Sequence, residues 1–356
     1  MKAQQFSFAA TGFLPKEMRR FLTASTVTLF TLLLLTVFLM PFAYMTSTAL
    51  KTGPQLADPG APLWPAVEQT HTYEGEEYPV YKVPTDQGVQ EWALVDKGRE
   101  ESQFIDTNNP EAGLILWEGR WRTLERVWLF SPRWQNFVDA WNGIDFPRLF
   151  FNTLVIAVTG TIGTLISCSA VAYGFSRFRF PGRNILLLVL IATIILPRTV
   201  TMVPLYAAFV KIGWVGTWLP LIVPHFFANA YNVFLMRQFF MTIPVALDEA
   251  AAIDGAGPIR RLISIILPQS IPVLLVVTVN HMVFAWNDYF DPLLYLSTTP
   301  ELQPISVGIQ KFNWVFDQQP EMVQATSLLG LVLPVLLFFV AQRHFMGGVV
   351  FTGVEK

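Results

Sequence analysis

Cysteine is almost absent from this chain: of 356 residues only Cys168 is a cysteine, and it lies in an apolar run. One cysteine excludes an intrachain disulfide, so no part of the chain is stapled by one. Charge is scarce too. Asp, Glu, Lys and Arg make up 14% of the residues, against about 25% in an ordinary soluble domain. The net charge of −2 creates no field that would attract nucleic acid. Four histidines at 71, 225, 281 and 344 do not form a metal-ligand spacing. No Gly-x-x-x-x-Gly-Lys-Ser/Thr loop is present, so the chain does not supply an ATP site of that type. Tandem repeats, heptads and low-complexity tracts are missing as well.

Long apolar runs take the place of the missing charge. Hydrophobic residues are 53% of the chain and its mean hydropathy is +0.43. The first run, Phe21–Tyr44, follows Lys16, Arg19 and Arg20 as a signal peptide would. Its apolar core from Thr26 exceeds the ~7–15 residues of a signal segment and fits a spanning helix of ~20 residues. Six spans follow from the pattern, at about 21–44, 152–174, 184–209, 217–240, 270–293 and 325–345. Pro197 and Pro204 should kink or interrupt the third. Gly160, Gly163, Ser167, Ala170 and Gly174 along the second let helix backbones approach closely. With the N-terminus inside, the inner side holds Arg177, Arg179, Arg183, Arg237, Arg260, Arg261 and Arg343, whereas the two short outer loops hold Lys211 and Lys311. This bias places both termini in the cytoplasm.

Segment 51–150 differs from the rest. It carries 16 acids and nine bases, −7 by formal count, while the remaining chain carries ten acids and 15 bases, +5. Alternating runs Tyr78–Val83 and Gln90–Val95 flank Pro84–Gly88, the pattern of a β-hairpin. Asn108, Asn109 and Pro110 mark another turn, and Leu114–Trp117 and Val127–Phe130 read as further strands. The expectation is a small β-rich extracytoplasmic insertion at about 60–130, with an extended, partly ordered loop as the alternative. The fold class is therefore an all-α polytopic membrane protein of six transmembrane helices, with that insertion between helices 1 and 2. Its organisation is 1–50 (N-terminus and first helix), 51–150 (insertion) and 151–356 (a five-helix core with a cytoplasmic loop at 241–268).

That loop runs from Val245 to Pro268. Pro244 can open a helix, Asp248 and Glu249 suit its N-terminal dipole, and Ala250, Ala251 and Ala252 favour helix. Gly255 permits a turn with positive φ, and Pro258 can start a second short helix. The sequence resembles the EAA loop of type I ABC importer permeases: Glu249-Ala250-Ala251, three residues, Gly255, nine residues, Ile265, one residue, Leu267-Pro268. Further matches are Trp286–Leu296, Gln342–Gly348 and Asn152-Thr153, which resemble the carbohydrate branch, most closely the second permease subunit of maltose-type importers. The resemblance covers about 131–356 and the first span. The acidic insertion is longer than that subunit usually carries.

The resemblance implies a bacterial plasma-membrane, multi-pass subunit that is not itself an enzyme. A second homologous permease would complete the pore, and two ATPase subunits would bind ATP and Mg, this chain holding no cofactor. An extracytoplasmic sugar-binding protein would deliver substrate. Glu249, Ala250, Ala251, Asp254, Gly255 and Ala256 would contact or shape the ATPase docking surface. The outer loop 297–323, with Gln310, Phe312, Trp314 and Phe316, would reach the binding protein.

Substrate-path candidates lie on the fifth span. At 100° per residue, Asn280, Asn287 and Asp291 fall within about 40° of one another, with His281 and Asp288 on a neighbouring stripe. They line a sugar path, or serve as interhelical hydrogen bonds (the asparagines) and exits to headgroups (the aspartates). In maltose-type relatives the tight sugar site is mainly on the other permease. Arg198 meets the pore or a backbone carbonyl, or, the reading favoured here, snorkels to an interface, and His225 reads as a hydrogen-bonded packing residue. Two rival functions stay open here: an ion-coupled secondary transporter, and a membrane-anchored module that binds through residues 51–150.

Overall fold

The apolar run after Lys16 folds as one uninterrupted helix, α1 (Lys16–Ala49), whose apolar side chains are exposed. Such a surface is soluble only in lipid or against another protein. The computed structural model describes residues 16–86, 88–314 and 317–349. It divides at Pro132 into two units, so residues 133–150 belong with the helical unit.

In the first unit the acidic segment forms strands β1 (Ala66–Glu68), β2 (Thr70–Tyr73), β3 (Glu76–Thr85), β4 (Gly88–Asp96), β5 (Glu101–Asp106), β6 (Leu114–Glu118), β7 (Glu125–Arg126) and β8 (Trp128–Phe130). The expected hairpin is β3–β4, with Val83 opposite Gln90 and Val80 opposite Ala93. The sheet order is β2-β3-β4-β5-β6, β7 continues along β3, and β1 pairs separately with β8. Alternation buries both faces. Tyr81, Val83, Trp92, Leu94 and Phe104 form one core, and Val80, Ala93, Ile105 and Val127 the other. A core of that size accounts for an ordered unit without a disulfide. Gly119, at φ +147, lies against the Trp117 ring, leaving no space for a Cβ.

The second unit is helical: α2 (Gln135–Gly143), α3 (Phe146–Arg177), α4 (Arg183–Ala192), α5 (Arg198–Lys211), α6 (Ala230–Thr242), α7 (Val245–Ile253), α8 (Ile271–Asn287), α9 (Phe290–Tyr295) and α10 (Pro320–Val349). Helix α3 is central and packs on α6 and α8. Its Cys168, Ala172 and Tyr173 meet Val233, Met236 and Phe240 of α6 and Val273 and Val277 of α8. Part of the small-residue stripe serves this packing. A Cβ on Gly160 would sit 2.7 Å from His281 Nε2, and one on Gly163 2.6 Å from the Phe226 ring, whereas Gly174 faces open space.

Among the described residues, four helices are long and apolar enough to cross a membrane: Arg20–Ala49, Phe146–Arg177, Leu219–Thr242 and Pro320–Val340. Two further apolar pairs are bent, Arg183–Ile195 with Arg198–Lys211 by 98° and Pro258–Gln269 with Ile271–Asn287 by 83°. The count is four, or six if each bent pair makes one crossing. The first bend falls at Pro197, which cannot donate to the helix ladder, while Pro204 is carried inside α5 without a break. The expected fifth span of 270–293 also ends early, at Asn287. Pro292 lacks the N–H that would bond the carbonyl of Asp288, and Ser306 Oγ donates to that freed carbonyl instead at 2.6 Å.

Candidate functional site

The loop between α6 and α8 is built outward from one buried ion pair. Arg177, the last residue of α3, places Nε 2.9 Å from Asp248 Oδ2, and both side chains are less than 9% exposed. Arg177 Nη2 also donates to the Ile243 carbonyl at 2.8 Å, and Tyr173 Oη lies 3.5 Å from Asp248 Oδ1. A charge pair this buried requires such additional partners. The pair fixes the inner face of α7 to the central helix. Helix α7 then stops where glycine allows it. Gly255 has φ +78 with open space around it. Its N–H donates to the Ala252 carbonyl at 3.1 Å and that of Ala256 to Ala251 at 2.8 Å. These are the two bonds of a Schellman stop, which needs a left-handed residue at this position.

Among the described residues, nothing packs on the other face of α7. Glu249, Ala250 and Asp254 are exposed, Ala251 and Ala256 half-buried, and Val245, Leu247 and Ile259 extend an apolar surface around Ile253, which is 87% exposed. Chemically this is a short rigid helix with its backbone pinned and a mixed apolar and acidic face free. Of the residues expected here, Glu249, Ala250, Ala251, Asp254, Gly255 and Ala256 all lie on α7 or its stop. Asp248 does more than meet a helix dipole, and Arg177 was read only as one basic residue among several. No local pattern links two positions 71 residues apart.

The second candidate set departs from the helical-wheel expectation. Asn280 and Asn287 are on α8, but α8 ends before Asp288, and Asp291 is on α9. One wheel therefore does not describe all four. Asn287 is used locally, Nδ2 donating to the Val283 carbonyl at 2.8 Å. The aspartates do not simply exit: Arg198 Nη2 is 3.0 Å from Asp288 Oδ1 and also pairs with Asp291. Neither a pore or carbonyl contact nor a snorkelling side chain foresaw this pairing; opposed charges side by side are the cheaper solution in an apolar setting. This cluster joins the breaks after Pro197 and before Pro292. Asn280 instead faces a cavity of about 350 Å³ shared with His225, Asn229, Tyr231, Asn232 and Phe284. His225 and His281 rings meet edge to face at 4.4 Å.

At the other end of α3, Asn152 Nδ2 donates to the carbonyls of Glu301 (2.8 Å) and Gln303 (2.9 Å), and the Ile305 N–H donates to Thr153 Oγ1 at 2.9 Å. This anchors the loop after α9. Within that loop Phe312 is buried against Gly143, Gln310 is exposed, and Lys311 Nζ donates to the Gly143 carbonyl at 2.7 Å. Phe316 and the Trp314, Arg343 and His344 side chains lie outside the described residues.

Comparison with known proteins bears on this architecture. A family model described as "binding-protein-dependent transport system inner membrane component" matches residues 163–346, which include α7 and its stop. The chain is 34% identical over 212 residues to the sn-glycerol-3-phosphate transport system permease protein of Brucella melitensis, covering 59% of this chain and 74% of that one. It is 26% identical over 272 residues to an osmoprotective compounds uptake permease protein of Synechocystis, covering 74% and 88%. A chain from the crystal structure of a bacterial ABC transporter that imports the acidic polysaccharide alginate shares the fold, with a TM-score of 0.64 and 19% identity over 94% of this chain and 100% of that one.

Proposed function

The chain belongs to the family of binding-protein-dependent transport system inner membrane components, and from that premise we propose that it is one permease subunit of an ATP-driven sugar importer. It is a multi-pass transport subunit, not an enzyme. The proposal assigns it half of a translocation pore with six crossings, each bent pair counting as one, and with both termini in the cytoplasm. The strand-rich unit then lies outside the cell. A second, related permease completes the pore, and two ATPase subunits bind ATP and Mg. An extracytoplasmic binding protein delivers the sugar.

One observation carries the mechanism: α7 is held from inside by the Arg177–Asp248 ion pair while, among the described residues, its other face is unpartnered. A pinned helix transmits displacement; a mobile loop would absorb it. Closure of the ATPases moves α7, the ion pair passes that movement to α3, and α3 carries it to the loop that Asn152 anchors. Glu249, Ala250, Ala251, Asp254, Gly255 and Ala256 form or shape the docking face. The membership and this geometry favour an importer over an ion-coupled transporter.

Purifying the tagged chain from its native membrane in mild detergent tests the reading. Recovery of a second permease and a Walker-motif ATPase is expected. A lone chain that transports without ATP would overturn it. Glu249→Lys and Gly255→Asp are expected to abolish uptake while the chain still reaches the membrane, and normal uptake in both would remove those residues from the coupling role.

A further inference from the structure

The C-terminal end of α1 is tied to a ribbon that leaves its apolar side chains bare. Strands β1 and β8 pair Ala66 with Phe130, Val67 with Leu129 and Glu68 with Trp128. The Ser131 N–H donates to the Pro65 carbonyl at 3.2 Å, which extends the ribbon toward Trp64. At this end Leu63 is 86% exposed, Phe130 71% and Trp64 56%, and the opposed Val67 and Leu129 are exposed as well. Large apolar side chains of the same unit otherwise fill its two cores, so a cluster left outside calls for a partner. The backbone that carries it is held in place. Gln55, 2% exposed, donates Nε2 to the carbonyls of Pro62 (3.2 Å) and Trp64 (2.8 Å), and its Oε1 accepts from the Ala66 N–H at 3.1 Å. Ser47 Oγ, in the last turn of α1, donates to the Leu63 carbonyl. Past Val67 and Leu129 the character changes: Glu68 and Asp58 both pair with Arg126. The ribbon is apolar where it meets α1 and charged beyond.

We propose that this end of the ribbon is a lipid contact, seated in the headgroup and acyl boundary of the outer leaflet, so that the strand-rich unit rests on the membrane beside α1. The inference rests on the topology proposed above, which puts the C-terminal end of α1 outside. Height decides the occupant. Arg20 and Ser47 stand 27 residues apart on α1, a rise of about 40 Å, and a bilayer with its headgroups is about 40–45 Å thick. With Arg20 at one surface, Ser47 and the Leu63 bonded to it stand at the other. The surface of α1 changes at the same level: Tyr44 is 64% exposed, while Thr48 and Ala49 are buried. Side-chain chemistry agrees with that depth. Tyrosine and tryptophan favour the membrane–water interface, which suits Tyr44 and Trp64, and Leu63 and Phe130 supply the apolar bulk beneath. Backbone groups near hydrocarbon must be bonded within the protein, and the four successive carbonyls of Pro62, Leu63, Trp64 and Pro65 all accept hydrogen bonds. A protein partner could meet the ribbon at any height; a lipid surface requires this one.

The single native cysteine, Cys168, is buried, so an introduced thiol on this chain can be labelled alone. Leu63→Cys and Phe130→Cys each carry the fluorophore NBD. Val89→Cys, at a position 70% exposed in the β3–β4 hairpin, is the aqueous reference. The chain is purified with its partners into nanodiscs of phosphatidylcholine and phosphatidylglycerol, and the wild-type preparation gives the background from partner thiols. Aqueous dithionite reduces exposed NBD, and phosphatidylcholine with a nitroxide near the top of its acyl chain quenches NBD in the boundary. At Leu63 and Phe130 reduction should be about tenfold slower than at Val89, with lipid quenching at the first two alone, as for side chains about 5–10 Å into the boundary. Reduction as fast as at Val89 would put the ribbon in water and overturn the proposal. Slow reduction without lipid quenching would overturn it in favour of a protein covering the face. Trp64→Glu in the Leu63→Cys chain gives a second readout. It should leave thermal unfolding in detergent unchanged, since Trp64 is exposed, yet speed reduction at Leu63 severalfold in nanodiscs; an unchanged rate contradicts the lipid contact. Nanodiscs expose both faces and the measurement needs no ATP, so quenching that persists after the ATPase is stripped separates this result from any failure of the importer reading.

Discussion

Arg177 and Arg198 both pair with aspartate, in opposite settings. The Arg177–Asp248 pair is nearly sealed, with side chains 8% and 7% exposed, and joins the end of α3 to α7. Arg198 is 47% exposed and shared between Asp288 and Asp291 at two helix breaks. Burial decides what each interaction is for. A sealed pair is costly to separate, because either charge left alone is stranded away from water; it therefore acts as a fixed joint. The Arg198 cluster is sealed on one side, with Asp288 10% and Asp291 25% exposed, and ties together two places where helices part and rejoin. Along α3, Arg177 and Asn152 stand about 37 Å apart, 25 residues at 1.5 Å. The joint and the anchor of the loop after α9 thus share one rigid element.

The largest effect is expected where the sealed pair loses one member. Arg177→Ala or Asp248→Ala should destabilise the detergent-purified chain by about 3–5 kcal/mol, read from thermal unfolding. The double substitution should cost less than the sum of the two, since no lone charge remains. If Arg177→Ala is as mild as Arg198→Ala, the comparison breaks. Next comes Asn152→Ala, which leaves the carbonyls of Glu301 and Gln303 unpaired and should cost about 1–3 kcal/mol. Protease cleavage in the loop after α9 should rise with it.

Gly255→Val forces a β-branched side chain into left-handed backbone and should cost about 1–2 kcal/mol. Gly255→Asn should be milder, as asparagine tolerates that region. Similar losses in the two variants would show that space rather than φ matters, against the open surroundings of Gly255. A loss smaller than that of Arg177→Ala is expected for Arg198→Ala, since its guanidinium is 47% exposed, and high salt should shrink it further. A salt-independent loss as large as that of Arg177→Ala would mean the two pairs are of one kind.

Much of this was legible in the sequence, because periodicity and turn chemistry are local. The β3–β4 hairpin followed from alternation around Pro84 and Gly88, and the Asn108–Pro110 turn from its composition. The break at Pro197 followed from a missing N–H. The short helix α7 and its end were legible through composition and spacing, and the stop at Gly255 supplies the physical reason for a glycine there. What escaped was set by distant partners. Nothing near Asp248 names Arg177, and nothing near Arg198 names two aspartates 90 and 93 residues away. The Asn280–Asp291 stripe was drawn on a straight helix, and Pro292 ends that helix four residues upstream of itself. The pocket at Asn232 was invisible for a related reason: the break between Val223 and Asn229 turns His225 and Tyr231 toward α8, and no periodicity foretells it.

The central claim is that α7 presents its free face to an ATPase. The most direct test places a cysteine at Ile253, 87% exposed on that face, in the importer purified with its partners, and adds a short crosslinker that joins this thiol to amines of whatever covers it. Crosslinking to the ATPase subunit, lost when ATPase is stripped from the complex, is the predicted result. A complex containing the ATPase in which Ile253→Cys crosslinks to nothing, or only to another permease, would contradict it.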